Sequence, residues 1–162
     1  MKKALLLALA VIIIFSTFTG CDAVKEVIEN KKGASLGEKA EDTKIPLDGA
    51  QIEYVSSTST SLTVRIRNNT ASTWQSGNMK DYTLEKEQGG EWYAVTQIGE
   101  LANTMELMII APGNEFTHTF EFSGRYGKLQ PGKYRVVKAL WANATENSAA
   151  GEFHLVCEFT VA

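Results

Sequence analysis

From residue 49 to the end, apolar and polar positions alternate with a period of two, and turn residues interrupt the alternation at short intervals. Ser61 to Asn68 shows it most plainly. Leu62, Val64 and Ile66 fall on one face, and Thr63, Arg65 and Arg67 on the other. Gln51 to Ser56 is a candidate strand before it, and Asn68-Asn69-Thr70 reads as the turn after it. Asp81 to Glu87 and Glu91 to Thr96 flank Gln88-Gly89-Gly90, a hairpin signal because glycine accepts positive φ without steric cost. Thr104 to Ile110 is apolar in a way that fits either a buried strand or a short helical crossover. Pro112-Gly113-Asn114 is a turn, and Glu115 to Phe122 puts Phe116, His118, Phe120 and Phe122 on one face. Pro131-Gly132 then leads into a long strand from Tyr134 to Trp141. The last strand, Glu152 to Val161, points Phe153, Leu155, Cys157, Phe159 and Val161 inward and His154 outward.

Seven to eight short strands at such intervals predict an all-β fold, an antiparallel β-sandwich, over residues 49–162. Tyr134, just inside the penultimate strand, is similar to the tyrosine corner of Greek-key sandwiches, whose hydroxyl bonds to upstream backbone.

The pattern before residue 49 is different. Met1-Lys2-Lys3 precedes the apolar run Ala4 to Phe15, which has the length of a signal-peptide core and is too short for a confident membrane span. Residues 21–48 are rich in Lys, Glu, Gly and Ala. A short helix over Asp22 to Lys32 puts Ala23, Val24, Val27 and Ile28 on one side, Gly33 and Gly37 interrupt it, and Pro46 closes the segment. Low hydrophobicity with mixed charge predicts a flexible linker, with partial packing on the domain as the alternative.

Composition changes this picture little. The chain has 162 residues, 44% hydrophobic and 22% charged, as expected of one ordinary domain. Without residues 1–20, which hold Lys2 and Lys3, fourteen basic side chains face nineteen acidic ones, a net charge of −5. That balance argues against a nucleic-acid partner, which needs a basic footprint.

Phe18-Thr19-Gly20-Cys21 resembles the lipobox of bacterial lipoproteins, with Phe18 in place of the usual leucine. The resemblance implies a diacylglyceryl group on Cys21, cleavage after Gly20, and an outward-facing protein held at the cell membrane by lipid. Two or three acyl chains on one residue anchor durably, since each buried methylene contributes about 0.8 kcal/mol. A lipidated Cys21 cannot form a disulfide, so the resemblance leaves Cys157 a lone thiol. After the lipidated cysteine, Asp22 resembles an inner-membrane retention signal of Gram-negative bacteria and has no meaning in a Gram-positive cell.

Three ordered stretches carry a second resemblance. They are Tyr82-Thr83-Leu84-Glu85-Lys86 with Glu91-Trp92-Tyr93-Ala94-Val95, then Ala111-Pro112-Gly113, then Tyr126 to Val136. Together they are similar to the bacterial immunoglobulin-like domains of exported Firmicutes proteins. The family implies an immunoglobulin-like sandwich and no particular ligand.

Chemistry is sparse. Alternation turns His118 inward and His154 outward, so the two do not address one site, and Cys157 sits between Leu155 and Phe159 on the inner face, where burial favours the neutral thiol. Metal, calcium-loop, phosphate-loop and hydrolase motifs are missing from the sequence, and no cofactor is implied. Asn68-Asn69-Thr70 and Asn143-Ala144-Thr145 match the glycosylation pattern and are read as chance behind a bacterial lipobox. Arg65, Arg67, Arg125, Lys128, Lys133 and Arg135 form a basic patch only if the sheet gathers them; otherwise they are solvated charges. Trp74 and Trp141, near loops, are the candidate ligand-binding residues, whereas Trp92 packs against its hairpin. The expected function is a non-catalytic binding or structural module, with a protein or glycan of the cell envelope as partner. The alternatives are an envelope enzyme using Cys157 or His118, and a ligand-sensing accessory of a membrane protein.

Overall fold

The computed structural model describes residues 34–41, 43–99, 106–146 and 150–162. The leader, Cys21 and the first part of the linker lie outside the described residues. Ten strands are described: β1 (Leu36–Lys39), β2 (Ala50–Ser57), β3 (Ser61–Asn68), β4 (Trp74–Ser76), β5 (Thr83–Gln88), β6 (Glu91–Val95), β7 (Met108–Ile110), β8 (Glu115–Glu121), β9 (Gly132–Ala142) and β10 (Gly151–Val161). All their pairings are antiparallel, in one sheet of seven strands and one of three, ordered β2-β3-β8.

β9 is the spine of the larger sheet. One edge pairs along its whole length with β10, from Gly132 opposite Val161 to Ala142 opposite Gly151. The other edge is divided. Tyr134 to Val137 pair with β5, and Trp141 and Ala142 pair with β4. β4 and β5 are thus two pieces of one strand line, broken by an excursion over residues 77–82. β6 and then β1 extend the sheet beyond β5, and β7 extends it beyond β4.

The alternation expected in β3 and β10 is observed. Leu62, Val64 and Ile66 are fully buried, and Phe153, Leu155, Cys157, Phe159 and Val161 form the facing wall. Between the sheets, Phe159 stacks on Phe122 and on Tyr134, with ring centroids 5.6 and 5.7 Å away. The Tyr134 hydroxyl donates to the Gln130 carbonyl at 2.8 Å, as a tyrosine corner requires. The β5–β6 hairpin turns on Gly89 and Gly90, whose φ values of 65° and 85° are both positive, the pair that a two-residue turn of matching twist needs. Of the ambiguous segment 104–110, Met108 to Ile110 form β7.

The structure corrects the reading of residues 34–48 as linker. β1 pairs with β6, Leu36 opposite Val95 and Lys39 opposite Tyr93. The chain then crosses the outer face of the larger sheet as a strap. Ala40 N–H donates to the Trp92 carbonyl (2.8 Å), Lys44 pairs with Glu85 (2.9 Å), and His154 N–H donates to the Ile45 carbonyl (2.6 Å). The strap explains an otherwise odd burial. Glu85 and Arg135 point away from the core, yet are 2% and 7% exposed. They pair with each other at 2.5 Å beneath the strap, and Trp92 covers the guanidinium at 4.4 Å.

Candidate functional site

The candidate residues from the sequence part company in the structure. Trp74 is corrected outright. It is fully buried, its ring meets Phe153 edge-on at 5.0 Å, and its indole N–H donates to Thr70 Oγ1 at 3.1 Å. A side chain so placed does not touch a ligand. Register explains the difference from Trp141. Trp74 lies opposite Ala142, which faces the core, whereas the next position, Gln75, lies opposite Trp141.

Trp141 is 49% exposed on the outer face. Its cross-strand neighbours are Glu152 on β10 and Gln75 on β4, and Gln75 in turn opposes Ile109 on β7. Glu152, Trp141, Gln75 and Ile109 therefore form one row across four strands, about 14 Å long at about 4.8 Å per strand. Ile109 and nearby Leu107 are exposed, which gives this end of the sheet an apolar character interrupted by an amide and a carboxylate. The sequence missed Gln75 and Ile109, because β4 and β7 are three residues each and too short to show a period.

Cys157 and His118 stand on strands of different sheets. Cys157 is buried, and burial, then Glu158, pushes its thiol up to about 11. That is the opposite of an activated nucleophile. His118 is half-buried, edge-on to Phe120 at 4.7 Å, and burial, then the Lys138 charge, lowers its pKa. His154 is not the free surface residue expected: Ile45 N–H donates to its Nδ1 at 3.2 Å, so it holds the strap.

The arginines and lysines of the suspected basic patch are mostly paired with carboxylates. Arg65 and Arg67 reach Glu115, Arg67 also lies 3.6 Å from Glu53, and Lys133 meets Glu158 at 2.5 Å. Among the described residues no cluster of three His, Cys, Asp or Glu side chains is placed to hold a metal.

Among the grooves of the described residues, one lies between β2 and β10 and one beside β8. The first, of about 570 Å³, separates the outer edges of β2 and β10 and is lined by Leu47, Ile52, His154 and Leu155 among others. The second, of about 310 Å³, lies beside β8 and is walled by Tyr82, His118 and Phe120, with Lys80 and Arg125. Sequence reasoning missed the second, because Arg125 lies in a loop and Tyr82 at the end of the 77–82 excursion.

A family model described as a bacterial Ig-like domain matches residues 42–154. The match begins inside the strap, ahead of the boundary at residue 49 expected from alternation. No curated protein matches the chain.

Proposed function

The chain belongs to the bacterial Ig-like domain family, and on that premise we propose that it is an envelope lipoprotein: a lipid-anchored, non-catalytic module that binds a protein or glycan of the cell surface. Phe18-Thr19-Gly20-Cys21 supports the anchor, with acyl chains on Cys21. The observation that carries the binding role is the row of Glu152, Trp141, Gln75 and Ile109. A large aromatic ring held open on a rigid sheet, with polar groups on either side, supplies contact area at little entropic cost. The raised thiol pKa of Cys157 and the separation of Cys157 from His118 favour this over an enzyme.

Both halves are testable. The intact mass of protein from a bacterial envelope should show loss of residues 1–20 and gain of a diacylglyceryl group. A Cys21→Ser protein should lose the acyl mass; acylation that persists sinks the anchor. Trp141→Ala should lower retention on immobilised envelope material several-fold at an unchanged unfolding midpoint, since the ring is half-exposed. Unchanged retention would remove this face from the proposal.

A further inference from the structure

The groove beside β8 has a chemistry of its own. Its volume of about 310 Å³ is at the small end for a small-molecule pocket. Tyr82, His118 and Phe120 give it ring walls, and a Cβ built on Gly124 would meet nothing within 4 Å. Arg125 is the unusual member. It is 8% exposed, and its guanidinium lies 5.2 Å from the Tyr82 ring centre and 5.4 Å from that of Tyr126. Nη1 donates to the Lys80 carbonyl at 2.8 Å, while Nε is buried with no acceptor among the described residues. The carboxylate of Asp81 stands 3.9 Å from Nη2 and is 79% exposed, so water screens most of that attraction.

A second cation stands close by. Lys138 faces the core from β9, where the 77–82 excursion leaves that edge of the strand unpaired, and is 3% exposed. Its ammonium donates to the Asp81 carbonyl at 2.7 Å, a neutral acceptor. Burial lowers its pKa, and its charge in turn disfavours a proton on His118. The groove thus has aromatic walls and two cations on its lining, Lys80 and Arg125, with Lys138 close by, against the carboxylates of Asp81 and Glu121, and the Arg125 Nε is buried without an acceptor among the described residues. Glu121 also lines the groove, and its charge reaches Tyr82. Alternation puts its side chain on the solvent face of β8, and its carbonyl accepts the Tyr82 hydroxyl at 2.7 Å.

We propose that the groove beside β8 binds an organic carboxylate with an apolar body, the carboxylate on Arg125 and Lys80 and the body against Tyr82, His118 and Phe120. Arginine presents a planar fork that matches a carboxylate, and the burial of the Arg125 guanidinium strengthens such a pair. A free aromatic acid and the C-terminus of a peptide share this chemistry.

The test titrates the full chain, in nonionic detergent, with phenylacetate and with its neutral counterpart phenylethanol, following the His118 and Tyr82 ring resonances and the unfolding temperature. Saturable binding of phenylacetate, with phenylethanol about tenfold weaker or worse, is expected from loss of a charge-assisted hydrogen bond. Lys80 is exposed, so Lys80→Met should fold normally and weaken phenylacetate about threefold. Arg125→Met should abolish binding, and where it fails to fold the Lys80→Met result decides. A tripeptide ending in phenylalanine, as free acid and as amide, separates the sources. An acid-dependent gain over phenylacetate points to a chain terminus, and weaker binding points to a small acid. Equal binding of phenylacetate and phenylethanol, no saturable binding, or an unchanged affinity in Lys80→Met overturns the proposal.

Discussion

Replacing Asn68 by alanine should unfold this domain more readily than almost any other single polar change. Asn68 is fully buried at the end of β3. Its Nδ2 donates to the carbonyls of Ser72 (2.9 Å) and Ile110 (3.0 Å), and its Oδ1 accepts Thr70 N–H (3.0 Å) and Thr70 Oγ1 (2.7 Å). One side chain thereby ties the turn after β3 to β7 and, through Thr70 Oγ1, to the indole of Trp74. Each buried hydrogen bond contributes about 1 kcal/mol net, and a stranded buried partner costs more. Four such bonds give about 4 kcal/mol, which water entering the vacated space reduces to about 3 kcal/mol. Against a domain stability of about 5–15 kcal/mol this is a large fraction. With a urea slope of about 1.5 kcal/mol/M, the midpoint should fall by about 2 M. Urea unfolding followed by tryptophan fluorescence and by strand circular dichroism measures it. Asn68→Asp provides the control for direction. It keeps the acceptor toward Thr70 but sets a carboxylate against two carbonyls, so it should be at least as destabilising at neutral pH and recover as acid protonates it. A loss below about 1 kcal/mol for Asn68→Ala, or an aspartate tolerated at neutral pH, would refute the reasoning.

Three further predictions rest on the same structure. Tyr134→Phe should cost about 1 kcal/mol, because the bond to the Gln130 carbonyl is lost and the ring stack on Phe159 is kept; calorimetry reads it, and an unchanged midpoint contradicts the tyrosine corner. The Cys157 thiol, raised from 9.0 to about 11, should label with maleimide at pH 8 roughly a hundredfold more slowly in the folded chain than in urea, from its smaller thiolate fraction alone. That raised pKa also means that stability falls as pH rises from 9.0 towards 11, since the unfolded thiol ionises first. His118 has a folded pKa below the ordinary histidine value of 6.5, so the unfolded chain takes up the proton first and stability drops as pH falls below that value; His118→Gln should flatten this part of the stability curve, and an unaltered acid slope would count against it.

Much of the fold was legible in the sequence because a strand's period of two is a local property. Leu62, Val64 and Ile66 announce their burial by spacing alone, and so do Phe153 to Val161. Gly89-Gly90 and Pro112-Gly113 mark turns by the φ values they tolerate, and Tyr134 marks its corner by its distance from Pro131-Gly132. What the sequence could not show is which element lies across from which. β1 is held to β6 largely by backbone bonds, and its four side chains are all exposed, so it reads like linker. The strap over Glu85 and Arg135 appears only when residues 50 positions apart meet beneath Lys44. Trp74 and Trp141 are both tryptophans near loops in the sequence. Register alone sends one into the core beside Phe153 and leaves the other open beside Gln75. Lys138 faces inward at a site only the broken β4–β5 line creates, and Arg125 joins it from a distant loop. Local alternation sets which face of a strand is apolar. Burial, charge pairing and every groove depend on non-local register, and those the tertiary structure decides.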